Sequence, residues 1–482
     1  MFWKGVVGYL PVNIVQALAG FGAIYAFTRL LTPEAYGDYA LAFAVASLTH
    51  TLMFTWVEAA MARFYVTEPA GEPRARLYAT LYTAFGVMSV ALPLVAGAIL
   101  ALAPLSASLR VAVFAGLASV IARSLLKMVQ ERRRAAGEVK GYALIDITQS
   151  GGGFALGALF AALGLGGAAP LAGVGAACAV CLVWTLAPEV RVARQGRFDP
   201  QRLEAYVRYG APVSFSLVFS LAIANTDRFV IAAFMGEGAV GAYHAGYSLA
   251  NRTLDVMFIW LGMAGGPAAV AALERGGHTE LQRTANDQFE LMSALALPAA
   301  AGLALVALPL AQVMIGKALA VQAAHVTPWI ALSALFAGLT TYYFHTAFTL
   351  ARRTGLLLAA MAVPAAANLA LTLALIPRFG LDGAMIATAL AYGIGLVASF
   401  SLGRRAIALP VPLGALARAG TATAAMALAV ANLPAMGGLL ELFEKAGVGV
   451  VVYALAALAL DVMGCRSRGL GRIAALKPRL AA

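Results

Sequence analysis

The chain has 482 residues, of which 62% are hydrophobic and 12% charged, with a formal net charge of +12. A soluble domain is about 45 to 50% apolar and about 25% charged, so this apolar excess is more than a soluble core can hide. Apolar runs of about 20 residues recur along the whole length, each able to cross roughly 30 Å of hydrocarbon as a helix, which predicts an all-α polytopic membrane protein and leaves no segment for a separate soluble domain.

The first helix is expected near 10–30. The opening MFWKGVVGYLPVNIVQALAGFGAIYAFTRLL passes through Lys4 into an apolar stretch too long for the core of a cleavable signal, and it lacks an obvious small-residue cleavage site. The first span is therefore expected to remain. A helix near 39–62 carries Ser47, His50, Phe54 and Glu58 on one face. Histidine changes charge near neutral pH, so proton coupling through His50 and Glu58 is one reading and plain helix packing is the other. Spans follow near 77–103 and 106–130, the second with Arg123 and Lys127 four residues apart. Two like charges on one helix face repel unless an anion or a watery vestibule offsets them; the alternative is snorkelling to the cytoplasmic surface. The helix near 140–163 carries Tyr142, Asp146, Gln149 and Ser150, and the one near 168–188 holds Cys178 and Cys181 among Ala, Val and Leu. That C-x-x-C reads as small residues at a helix interface, so neither a metal nor any other cofactor is expected.

The helix near 211–235 sets Asp227 beside Arg228 in the stretch SLAIANTDRFVIAAFMGEG. A charge facing lipid costs about 2.5 to 3.5 kcal/mol on insertion scales, so both should point inward. Adjacent helical residues diverge, which makes them poor partners for each other, and Arg228 lies nearer Asn225 three residues back. The next helix, near 239–265, reads Tyr243, Tyr247, Asn251 and Asp255 at steps of four, with His244, Ser248 and Arg252 alongside, as one polar face. The two helices run in opposite directions, which places Asp227 at the depth of His244 or Tyr247 and Arg252 near mid-membrane. These groups either line a solute path or join helices as satisfied polar pairs. Further spans are expected near 286–310, 326–350, 356–376, 382–403, 411–433 and 440–463, about fourteen in all.

With the amino terminus inside, about 25 of the 34 Lys and Arg fall in cytoplasmic loops and termini, while Arg29, Arg110, Lys317, Arg378 and Lys445 fall opposite. The basic excess thus reads as a topology signal with both termini cytoplasmic, and no nucleic-acid partner is expected. Residues 30–43 align without a gap to 234–247, with Ala35 on Ala239, Gly37 on Gly241 and Tyr39 on Tyr243; GLGGA at 164–168 returns as GLDGA at 380–384. An even number of helices separates the copies, so the halves form a parallel repeat. The expected domains are a six-helix lobe over 1–190, a cytoplasmic linker at 191–210, a second six-helix lobe over 211–404, and two extra helices with a basic tail over 405–482. A solute path is expected between the lobes.

The stretches FTRLLTPEAYGDYALAF, NTDRFVIAAFMGEGAVGAYHAGYSLA and LIPRFGLDGAMIATALAYGIG resemble the polysaccharide transporter and oligosaccharide flippase branch of the multidrug/oligosaccharidyl-lipid/polysaccharide exporter (MOP) superfamily. The resemblance implies a MATE-like pair of lobes that alternate between inward-open and outward-open states. Its implied cargo is a polyprenyl-diphosphate-linked oligosaccharide, such as an O-antigen, exopolysaccharide or capsule repeat unit, moved to the outer leaflet of a bacterial inner membrane beside a polysaccharide polymerase and export machinery. Cavity cations Arg123, Lys127, Arg228 and Arg252 would then shelter the diphosphate, with Asn225, Tyr243, Tyr247 and Asn251 as polar and aromatic lining. His50, Glu58, Asp146, Asp227 and Asp255 are the candidates for ion coupling, and Tyr342 and Tyr343 offer further rings to sugar. No bond need change, so no enzyme chemistry is expected. An ion-coupled multidrug antiporter and a peptidoglycan lipid-precursor flippase of the same superfamily are the alternatives.

Overall fold

The computed structural model describes residues 2–467, with side chains from residue 11 onward. The basic tail expected at the carboxyl end falls largely on 468–482, outside the described residues. In chain order the helices are α1 (Phe2–Leu30), α2 (Pro33–Met53), α3 (Thr55–Thr67), α4 (Glu72–Leu102), α5 (Ala107–Ala135), α6 (Val139–Ala162), α7 (Ala169–Gln195), α8 (Pro200–Met235), α9 (Glu237–Leu305), α10 (Ala307–Met314), α11 (Lys317–Leu339), α12 (His345–Leu350), α13 (Thr354–Gly403), α14 (Leu413–Ala431) and α15 (Gly438–Ala459). A π-helical turn, Thr340–Phe344, joins α11 to α12. No strand occurs among the described residues.

Among the described residues, ten helices are long and apolar enough to cross a membrane, or eleven if α2 and α3, bent by 48°, form one broken span. The expected fourteen is not reproduced, for two reasons. Two of the ten, α9 and α13, are runs of 69 and 50 residues that break at Gly277 and Gly380, whose φ of 63° and 57° suits glycine and little else. In addition, α6 is not among the ten, and glycines at 141, 151, 152, 153 and 157 with Asp146, Gln149 and Ser150 account for that in composition. The spans are apolar outward: only 11% of the α4 window and 6% of the α15 window is buried inside the protein, and Leu94, Val183 and Leu440 are each more than three-quarters exposed. Surface of that kind belongs against lipid, and the protein is a multi-pass membrane protein.

Helix starts follow local chemistry. Thr32 accepts from the Ala35 amide at 3.2 Å ahead of Pro33, and Asp199 accepts from Gln201 and Arg202 at 3.1 and 3.2 Å ahead of Pro200. A side-chain oxygen at the N-cap with proline just inside is a strong start signal. It moves the beginning of α8 to residue 200, so that only 196–199 stay outside helix where a linker over 191–210 was expected.

By its contacts the chain divides into two compact units, Met1–His244 and Ala245–Ala482. In the first, α2 lies against α5 and α8, α3 against α8 and α5, and α6 against α1 and α7. Its core gathers Phe54, Val57, Met61, Leu77, Leu81 and Val120. In the second, α11 packs on α13, α14 on α15, and α10 on α11 and α15. Within the first unit the two aligned segments meet each other: a Cβ on Gly37 would overlap the carbonyl oxygen of Glu237, and a Cβ on Gly241 would overlap that of Pro33. Pro33 and Glu237 are themselves aligned in the repeat, so the crossing is reciprocal, as at a two-fold interface.

Candidate functional site

The α5 line sits in the first unit. Arg123 is half-buried, its guanidinium carbon 6.0 Å from the centre of the Phe43 ring. One turn on, the Lys127 ammonium is 3.3 Å from Glu131 Oε1, and Glu131 also pairs with Arg134. Glu131 therefore offsets part of the repulsion that the sequence implied between Arg123 and Lys127, while Lys127 keeps a 41% exposed side chain able to meet a solute. Asp146 is buried and held by two amides, Gln16 Nε2 at 2.6 Å and Gln130 Nε2 at 3.4 Å, with Lys127 in electrostatic range. Neither Gln16, Gln130 nor Glu131 was singled out from sequence. The four-residue step that picked out Arg123 and Lys127, carried one turn further, reaches Glu131.

His50 and Glu58 bridge the bend between α2 and α3. His50 Nδ1 lies 2.8 Å from Ser124 Oγ, and its Nε2 lies 3.2 Å from Glu58 Oε1. Phe54, wholly buried, occupies the break itself. The helical spacing that grouped His50, Phe54 and Glu58 on one face still brings the two titratable groups together across a kink.

Asp227 and Arg228 are both buried. Tyr243 donates its hydroxyl to Asp227 Oδ2, and the backbone amide of Arg228 donates to Oδ1 at 2.9 Å. The Arg228 guanidinium donates through Nη1 to Asn225 Oδ1, and Asn225 Nδ2 donates to the Leu221 carbonyl at 2.8 Å. The side-chain partners thus include a tyrosine from the following helix and an asparagine one turn back. Tyr243 is fully buried and engaged in this network, and Tyr247 is 7% exposed. His244 packs on the rings of Tyr36 and Tyr39, with centroids 5.4 and 5.8 Å apart.

The second unit holds the rest. Asn251 Nδ2 donates to Asp255 Oδ2 at 2.5 Å, Arg252 is exposed and acts electrostatically on Asp255, and Asp255 acts electrostatically on Tyr342. The sequence also gave no hint that Asn368 and Thr372, one turn apart on α13, would be fully buried with both amide atoms and the hydroxyl lacking hydrogen-bond partners. A cavity of about 500 Å³ opens at the end of α7, lined by Ala187, Val190, Arg191, Arg194 and Gln195 and by none of these groups. No cluster of three or more metal-binding side chains occurs among the described residues.

The family profile of polysaccharide biosynthesis proteins matches residues 26–322, well over half of the chain. The chain belongs to that family. No match was found among curated protein sequences. Among solved structures, this family member is similar to the lipid II flippase MurJ in its inward closed conformation, with a TM-score of 0.77 at 11% identity over 94% of this chain and 98% of that one. It is also similar to an inward-facing multidrug resistance MATE family transporter of the MOP superfamily, with a TM-score of 0.66 at 14% identity over 83% and 97%. A MATE transporter from Vibrio cholerae gives a TM-score of 0.56 at 15% identity over 84% and 96%. At these identities the shared property is the fold, and it is the MurJ and MATE fold of the MOP superfamily. The family resemblance read from residues 27–43 and 225–250 holds, both stretches lying inside the matched range.

Proposed function

We propose that this family member carries a polyprenyl-diphosphate-linked oligosaccharide from the cytoplasmic to the outer leaflet of a bacterial inner membrane, with both termini cytoplasmic. The observation that supports it best is Arg123 and Lys127 on successive turns of one span, half-buried, in a chain of the polysaccharide biosynthesis family. A diphosphate cannot cross hydrocarbon unaided. Guanidinium offers it paired hydrogen bonds, and lysine adds a mobile positive charge whose partial exposure leaves it within reach. Arg252 is exposed in the second unit, and the Arg228 guanidinium donates to Asn225. The polyprenyl tail stays in lipid while the head passes, and no covalent bond changes. Alternating access of the lobes over 1–190 and 211–404 belongs to the same proposal.

The test is leaflet exchange in proteoliposomes loaded with fluorescent undecaprenyl diphosphate bearing a glycan. Wild-type protein should accelerate exchange. The double replacement Arg123→Gln with Lys127→Gln should slow it at least tenfold, corresponding to about 1.4 kcal/mol of lost stabilisation, while leaving membrane insertion intact. Exchange by wild type no faster than in empty vesicles overturns the proposal. A carrier bearing a muramyl peptide, run in parallel, separates glycan export from transport of a peptidoglycan precursor.

A further inference from the structure

Tyr342 is more open than the ring beside it in the chain. Its neighbour Tyr343 is 1% exposed and gives its hydroxyl to the Pro410 carbonyl at 2.5 Å. Tyr342 is only half-buried. Both sit in the π-helical turn Thr340–Phe344, a rare conformation that in proteins concentrates at functional sites because it re-aims a side chain at the cost of regular hydrogen bonding. Groups on α9 brace this turn. Gln288, from the far arm of α9, donates its amide to the Tyr342 carbonyl at 3.2 Å. Phe258 lies parallel to Tyr342, with centroids 6.1 Å apart and planes 5° apart, and is itself buried. A Cβ on Gly262 would overlap the Tyr342 ring, so only glycine lets the ring lie this close to α9.

The same face of α9 carries the polar groups. Asn251 and Asp255 are hydrogen-bonded to each other one to two turns before Phe258, Arg252 stands exposed beside them, and Asp255 is within electrostatic range of Tyr342. All of these lie in segments apolar enough to span the membrane, where a lipid-facing carboxylate and guanidinium would be costly, so this face is turned to protein or water. An aromatic ring with a backing partner, flanked by a carboxylate, an amide and a guanidinium, is a recognition surface for a pyranose: the apolar C–H face of the sugar rests on the ring, and its hydroxyls donate to the carboxylate and accept from the amide and guanidinium.

We infer that Tyr342, backed by Phe258 and flanked by Asn251, Arg252 and Asp255, forms a sugar-binding ledge that reads the glycan of the cargo rather than its diphosphate. This rests on the flippase reading and adds a second recognition element to it, separate from the α5 cations. The ledge ranks carriers by what they bear, and a bare carrier passes over it without contact.

The experiment measures binding of two probes by the purified full-length protein in detergent: undecaprenyl diphosphate and undecaprenyl diphosphate bearing N-acetylglucosamine. Wild type should bind the sugar-bearing probe more tightly. Tyr342→Leu should raise its Kd about tenfold and leave the bare probe within twofold, which also shows that the variant is folded. Tyr342→Phe keeps the ring face and should stay within threefold of wild type on both. Equal wild-type affinity for the two probes, or an equal loss on both in Tyr342→Leu, overturns the ledge while leaving the diphosphate reading intact. Failure of wild type to bind either probe overturns the flippase reading, and the ledge with it.

Discussion

At the scale of single residues, Asp227 shows what a buried charge in a span requires. It is fully buried, and the Tyr243 hydroxyl and the Arg228 amide each satisfy one of its oxygens. Tyr243→Phe removes a donor and fills its space with nothing polar, so the carboxylate loses a partner it cannot recover from water. The expected cost is about 1 to 3 kcal/mol of stability, read as a lowered Tm in detergent, and an unchanged Tm would show that Asp227 is satisfied without the tyrosine. Much of this was legible. The three-residue step from Asn225 to Arg228 and the antiparallel run of the next helix both follow from helix geometry, and both contacts are present. Partners that lie far apart in sequence were not legible. Gln16 reaches Asp146 across 130 residues, and nothing in either local pattern points to the other.

At the scale of helices, the reciprocal crossing of α2 with the first turns of α9 leaves no space for side chains. Gly37→Leu and Gly241→Leu should each abolish accumulation in the membrane, because the added atoms meet backbone carbonyls that cannot rotate away. Gly86→Leu, where nothing lies within 4 Å of the added Cβ, should be tolerated. If all three variants accumulate equally, the close crossing is not a constraint. The repeat that aligned Gly37 with Gly241 was visible in the sequence, but their meeting was not, since a repeat says which residues correspond and not which ones touch. The start of α8 was missed for a different reason. Composition around RFDPQRLEAYVR is polar and reads as linker, whereas the aspartate–proline pair inside it is a helix start and decides the local structure.

At the scale of the whole molecule, hydropathy read against charge predicts a carboxyl end on the cytoplasmic side. The native cysteines test this without engineering: Cys178 and Cys181 are buried, and Cys465 is exposed just past α15. A membrane-impermeant maleimide should leave intact spheroplasts unlabelled and modify one thiol once they are opened. Labelling before opening would invert the topology and, with it, the direction of transport. The class of fold was written plainly in the composition, because so few charges over so long a chain admit no other solvent. The number of crossings was less legible, since α9 and α13 each run through two apolar windows with a single glycine at the break.

Those single-glycine breaks restrict how the arms of α9 can travel. A joint made of one residue offers two torsions, whereas a slack loop offers dozens, so the arm that carries Asn251 and Asp255 and the arm that carries Gln288 have few ways to rearrange independently. Inserting residues at Gly277 should therefore loosen the brace that Gln288 gives the Tyr342 carbonyl.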